Sequence, residues 1–335
     1  MNRSMKRALS CLITFGLIIF ILMELNPLFR PEDTADCKDK TDFFYTLPKN
    51  SIEVMIYGSS HPYRGVSTEK LYTKYGIGSY NYAWNWQRID TTRLFIEDSL
   101  VYQKPKVALI ETYKVNEVNR NVDPTAEIFI SKYLRNERSV KEYLKTSFGT
   151  NYKSYVGYYF PVVVFHENWN VLSKWDFDAN EINEEQKRDM GYFNSKKTIP
   201  LKREDIYCYG QSDLNADAKG ELDRITSLCK ENNIKIVFFT IPYCGNNAYH
   251  DYMKKYAADH DCLYVDFFEL FDEVGFDVNT DFSDGGHLNV YGAEKVSDYL
   301  GKVLKEHYDL TDMREVKDNL WEQNFFGEST DGSDS

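Results

Sequence analysis

Five short apolar runs punctuate the chain, at Ile52–Tyr57, Ser79–Ala83, Val107–Thr112, Ile234–Thr240 and Leu263–Asp266. Each has the length of a strand, and helical patterns stand after them at Thr68–Tyr75, Asp90–Tyr102, Ala218–Asn232, Ala248–His260 and Tyr291–Tyr308. Short apolar strands linked by helices bury both faces of a sheet, so the pattern predicts an α/β domain with a parallel sheet between two helical layers. The domain is expected to span residues 51–310. Residues 113–217, rich in Tyr, Asn and Lys, break the rhythm and read as an insertion or lid shaping substrate access, with Tyr158–Trp175 its most hydrophobic part. The acidic end from 311 to 335 reads as a flexible tail.

The N-terminus sets the compartment. Arg3, Lys6 and Arg7 precede an apolar run from Ala8 to Met23, interrupted by Glu24 and continued by Leu25 and Pro27–Phe29. About 20 apolar residues cross a bilayer, and the basic end stays in the cytoplasm. No small-x-small cleavage pattern follows, so residues 1–29 are expected to form a cytoplasmic stub and an uncleaved single-pass signal anchor, with the rest of the chain outside. Residues 30–50 are polar and Pro-bounded, as a spacer would be. Cys11 lies too early in the apolar run for lipidation. Cys37, Cys208, Cys229, Cys244 and Cys262 include no C-x-x-C pair for zinc or thiol redox chemistry, and they specify no disulfide.

With 52 acidic and 40 basic side chains the formal charge is -12, and no basic stripe is available to hold a phosphate backbone, which excludes a nucleic-acid partner. In an open α/β sheet, ligands bind beyond the carboxyl ends of the strands, so the residues just after each run carry the chemistry. Gly58-Ser59-Ser60-His61 follows the first run, and a serine on such a glycine turn at a helix start is presented beside free backbone N–H groups. Ser59 or Ser60 could equally be a turn or cap residue. After the last strand comes Asp281-Phe282-Ser283-Asp284-Gly285-Gly286-His287-Leu288-Asn289. An Asp three residues before a His can hold the imidazole in the tautomer a general base needs. A metal reading of Asp281, Asp284 and His287 lacks a second ligand cluster at suitable spacing.

The early G-x-S turn paired with the late D-x-x-H-L-N-x-x-G resembles the SGNH/GDSL hydrolases, over residues 51–112 and 218–308. The resemblance implies a three-layer, flavodoxin-like fold and esterase or acyltransferase chemistry without a cofactor. It assigns Ser60 as nucleophile, because Ser60 holds the third position of the usual GDS triplet, with His287 as base and Asp284 as its orienter. Three departures stand out: Ser59 replaces the Asp of GDS, Glu111-Thr112-Tyr113 stands where a G-x-N-D is usual, and the second-block glycine is not obvious. The oxyanion donors are then expected to be the Ser60 N–H and the side chain of Asn85, or a neighbouring amide, in the loop after the second strand, with Gly58 shaping the turn.

His61 and Arg64 could contact substrate, Arg64 as an anion-binding group, and His166 could line the cleft. His250, His260 and His307 are expected to face solvent. The GSSH form, the anchor, KPKVALIE and FPVVVFHENW are similar to a membrane-anchored branch of bacterial cell envelopes, like the proteins of lipoteichoic-acid D-alanylation and alginate O-acetylation. That similarity implies a bacterial plasma-membrane location, an acylated envelope glycan or lipid-linked acyl donor, and a membrane-bound O-acyltransferase as partner. The alternative is a catalytically silent subunit of an envelope acylation complex that binds glycan or partner.

Overall fold

In a computed structural model describing residues 3–29, 34–118, 124–170, 189–207 and 210–326, five parallel strands form the central sheet. They are β1 (Val54–Tyr57), β2 (Ser79–Asn81), β3 (Val107–Glu111), β4 (Lys235–Thr240) and β5 (Leu263–Asp266). All five fall within two residues of the ranges read from the sequence. The spatial order is 2-1-3-4-5, with Val54 opposite both Ser79 and Val107, Val107 opposite Lys235, and Val237 opposite Leu263. This is the doubly wound flavodoxin-like order, whose ligand crevice opens where β1 and β3 diverge.

Alternation along the strands explains the continuous apolar runs. Val54, Ile56, Val107, Leu109, Val237 and Phe239 join a buried cluster with Leu71, Val296, Leu300 and Leu304 from helices Thr68–Tyr75 and Val290–His307. Their neighbours Met55, Tyr57, Ala108, Ile110 and Phe238 point to the opposite face and are also buried. Helices Ile89–Ser99 and Ala216–Glu231 pack on each other, with Leu94, Phe95, Leu222 and Ile225 buried.

The chain divides into two units. One comprises residues 1–38, 120–133 and 140–181, and the other residues 39–119, 134–139 and 182–335, which hold the sheet. In the first unit, helix Arg3–Leu25 is long and apolar enough to cross a membrane. The Asn26 side chain donates to the Tyr159 carbonyl at 2.7 Å, and Ser131 and Tyr158 share a hydrogen bond of 3.1 Å.

Three expected boundaries are corrected. Residues 34–44 are helical rather than spacer, and from residue 39 the chain belongs to the α/β unit. Phe44 is fully buried among Tyr80, Tyr82 and Tyr102, while the Lys40 ammonium donates to the Ala83 carbonyl at 2.6 Å beneath the Tyr63 ring. The tail is structured to Phe326: Trp321 is fully buried and its indole N–H donates to the Ser79 carbonyl at 2.9 Å. The expected insertion is split, because residues 189–207 return to the α/β unit, where Asn81 N–H donates to the Met190 carbonyl at 3.0 Å. Cys208, Trp175 and the end of the tail lie outside the described residues, and Cys11, Cys229, Cys244 and Cys262 are free thiols.

Candidate active site

β1 ends in a turn that only glycine can make. Gly58 has φ +138°, and a Cβ there would come 2.8 Å from the Glu111 Cβ and 2.9 Å from the Pro62 Cγ. The loop after β2 clamps the same residue: Gly58 N–H donates to Gln87 Oε1 at 2.6 Å, and Trp84 N–H donates to the Gly58 carbonyl at 3.1 Å. Ser59 caps the short helix Ser60–Gly65, its Oγ accepting from His61 N–H and donating to Glu111 Oε2 at 3.2 Å. Of the two candidate serines, Ser59 is therefore spent on the turn. Ser60, half-buried at the start of the helix, is the one left facing the site.

A closed loop supplies the other groups. Phe282 and Leu288 bridge its stem, Ser283 N–H donates to the His287 carbonyl at 2.9 Å, and Gly286 N–H donates to Asp284 Oδ1 at 2.8 Å. Asn289 fastens the loop to the next helix. Its side-chain oxygen accepts from Tyr291 and Gly292 N–H, and its amide donates to the Thr280 carbonyl at 2.6 Å. Helix Val290–His307 packs on helix Ser60–Gly65, so the loop at its start returns to the β1 turn.

There the imidazole of His287 bridges two side chains distant in sequence. Nδ1 lies 2.9 and 3.1 Å from the Asp284 carboxylate oxygens, and Nε2 lies 2.7 Å from Ser60 Oγ. A carboxylate can only accept, so Nδ1 carries the proton and Nε2 is free to accept from the Ser60 hydroxyl. Burial raises the Asp284 carboxyl, but the Gly286 N–H, the His287 ring and Arg64 outweigh it and hold the group below its usual range. Burial and the Arg64 charge lower His287 against the pull of Asp284, so the ring is a neutral base at pH 7. The arrangement can take the proton of Ser60 as its oxygen attacks. The Ser60 N–H makes no hydrogen bond among the described residues and stands as an open donor beside that oxygen.

Beneath this line lies a buried polar floor. Glu111, at the end of β3, accepts from Tyr113 N–H at 2.7 Å and from Ser59, and burial pushes its carboxyl up to about 8. His61 Nδ1 is 3.9 Å from Glu111 Oε1. Burial, then the charges of His287, Lys114 and Arg64, drives the His61 ring well below its usual value. Both groups are therefore neutral at pH 7 and do not form an ion pair. The His61 ring stacks on Tyr113 at 3.9 Å and meets the His287 ring edge-on at 5.6 Å.

His61 is thus corrected from a substrate contact to a buried support. Asn85 sits half-buried in the loop that clamps Gly58 and makes no hydrogen bond among the described residues. Arg64 lies close enough to act on both His287 and Asp284. His166 belongs to the other unit, where it is exposed and its Nδ1 is 3.2 Å from the Val163 carbonyl, a local helix-end contact. His250, expected in solvent, is buried with Nδ1 2.5 Å from Asp266 Oδ2. Asp281 accepts from Lys295 at 2.6 Å and is fully used inside the late loop.

Sequence reasoning gave no role to Glu111, Gln87 or Phe193. An acidic residue closing a buried strand is a signal that could have marked Glu111, whereas Gln87 and Phe193 are visible only in three dimensions.

No family model and no curated protein matches the chain. One solved structure that it resembles is a Bacteroides fragilis protein described as a "putative acylhydrolase", at 12% identity and a TM-score of 0.38, over 82% of this chain and 99% of that one.

Proposed function

We propose that the chain is an extracytoplasmic serine acyl-ester hydrolase or O-acyltransferase of SGNH type, acting on an acylated glycan at the membrane that its N-terminal helix enters. The observation that carries the reading is the unbroken line from Asp284 through His287 to Ser60 Oγ. In the proposed reaction, Ser60 Oγ bonds to the acyl carbon while His287 Nε2 takes the hydroxyl proton. The Ser60 N–H and the Asn85 side chain face the developing oxyanion. Collapse breaks the ester C–O bond, and His287 returns its proton to the departing alcohol. Water or a sugar hydroxyl then attacks the Ser60 ester, His287 taking the new proton and giving it back to Ser60 Oγ. Asp284 keeps the ring in register and stabilises its charged form throughout.

A single-pass anchor supports an acceptor or donor held at the membrane, which favours an envelope glycan over a freely diffusing ester. The test is turnover of a chromogenic acetate ester by the full chain in detergent micelles, with the acylated peptide trapped by acid quench and mapped by mass. An acetyl group on Ser60, and loss of turnover in Ser60→Ala, are expected. A Ser60→Ala enzyme that keeps wild-type turnover rejects the assignment, and a folded wild type inert toward every ester points to a silent binding subunit.

A further inference from the structure

Arg64 is an unusual arginine for this molecule. The half-buried arginines Arg88 and Arg93 of the α/β unit both lie beside carboxylates, Arg88 at 3.5 Å from Asp90 and Arg93 at 2.6 Å from Glu221. Arg64 makes no ion pair or hydrogen bond among the described residues, and its Nε is enclosed without a partner. A guanidinium held part-way out of water with its donors unused carries a desolvation cost that an oxyanion would relieve. The position is fixed. Arg64 stands four residues after Ser60 on the same short helix, so both side chains leave one face, and its guanidinium lies 5.0 Å from the Phe193 ring.

The segment that brings Phe193 is itself tied down beside the site. Phe193 N–H donates to the Tyr63 carbonyl at 2.9 Å, Val290 N–H donates to the Ser195 carbonyl at 2.8 Å, and the Asn289 amide donates to Thr198 Oγ1 at 3.1 Å. The same segment carries Lys196 and Lys197, both exposed. In a chain of net charge -12, Asp284, the one carboxylate of the proposed catalytic line, is already engaged by His287 and Gly286 and leaves Arg64 unpaired.

Resting on the serine acyl reading, we propose that Arg64 is the specificity residue of this site and that its substrate is an ester bearing an oxyanionic group, a carboxylate or a phosphate, next to the acylated oxygen. The planar fork of donors grips such a group from the side of the helix while Ser60 addresses the acyl carbon.

The test compares three esters with the same acetyl group and a phenolic leaving group: phenyl acetate, 3-acetoxybenzoate and 3-acetoxyphenyl phosphate. The full chain in detergent micelles is assayed as wild type, Arg64→Gln and Arg64→Lys. In Arg64→Gln, kcat/KM for an anionic ester should fall about tenfold or more relative to phenyl acetate, mainly through KM, and Arg64→Lys, which keeps the charge without the planar fork, should fall between wild type and Arg64→Gln. The ester that loses more identifies the carboxylate or the phosphate. An unchanged ratio in Arg64→Gln, or an equal loss on all three esters, overturns the proposal and assigns Arg64 to packing. Titration of benzoate and phenyl phosphate into Ser60→Ala, with and without Arg64→Gln, separates this claim from the acyl chemistry. Saturable binding that requires Arg64 sustains the proposal even if no ester is turned over, in which case the acyl reading alone fails. Absence of saturable binding of either anion, with no ester preference, overturns it.

Discussion

Glu111→Gln should change how the stability of the α/β unit depends on pH. Folding carries the Glu111 carboxyl from an ordinary value of 4.5 to about 8, because burial disfavours its charge more than the Tyr113 and Ser59 donors favour it. Between those two values the native state holds a proton that the unfolded chain has released, so stability must fall as pH rises. The contribution is complete below 4.5 and gone above about 8. At about 1.4 kcal/mol per unit, the whole window is worth roughly 5 kcal/mol, of which about 2 to 3 kcal/mol is lost between pH 5 and pH 7. Gln is isosteric with the protonated acid and keeps an acceptor for Tyr113 N–H. It cannot ionise, so the variant should lack that slope. His61 works in the opposite direction, its depressed value adding stability as pH rises toward 6.5, but it is present in both proteins and cancels in the difference. Urea melting of both proteins from pH 5 to 8.5, followed by tryptophan fluorescence with buried Trp84 and Trp321 as reporters, gives the comparison. The variant should gain on wild type steadily with pH. Two parallel curves would refute the reasoning and place the Glu111 carboxyl in the ordinary range.

Asp284→Asn should leave the fold intact and cut ester turnover by about three to four orders of magnitude, since the amide can present the wrong tautomer to His287; turnover within tenfold of wild type would contradict the role. The pH–rate profile should rise with an apparent midpoint below 6.5 and stay level through neutrality, because burial and Arg64 keep His287 neutral; a midpoint above 6.5 would show that Asp284 dominates instead. Trp321→Ala should cost about 3 to 5 kcal/mol in the α/β unit, by emptying the space against Gly78 and stranding the Ser79 carbonyl; a loss under 1 kcal/mol would return the C-terminal segment to the status of a loose tail.

The sheet was legible because its signal is dense. β1, β3 and β4 each hold four or more buried apolar residues in a row, and strand-helix alternation leaves few topologies to choose from. Ser60, His287 and Asp284 could be singled out because Ser60 opens the helix just beyond β1, and Asp284 and His287 share one short loop before the next helix, where turn chemistry is local. What the sequence hid is burial of isolated residues. Phe43 and Phe44 stand among Asp and Lys, so residues 39–50 read as a spacer although both rings are in the core. Trp321 is a lone apolar residue in an acidic stretch, and its partner Ser79 lies 242 positions away. His61 read as a substrate contact and His250 as a surface group because a single histidine carries no periodicity, and both are buried by contacts from other elements. The raised carboxyl of Glu111 follows from neighbours that only folding supplies.

The central claim is that Ser60 is an activated nucleophile, and fluorophosphonate labelling of the full chain in detergent micelles addresses it most directly. The modified peptide is mapped in wild type, Ser60→Ala and Ser59→Ala. Label on Ser60 that persists in Ser59→Ala, disappears in Ser60→Ala and weakens at acid pH as His287 takes up a proton is the expected result. A folded protein that takes no label, or takes it at Ser59 or elsewhere, contradicts the claim and leaves the hydrogen-bonded line without a catalytic role.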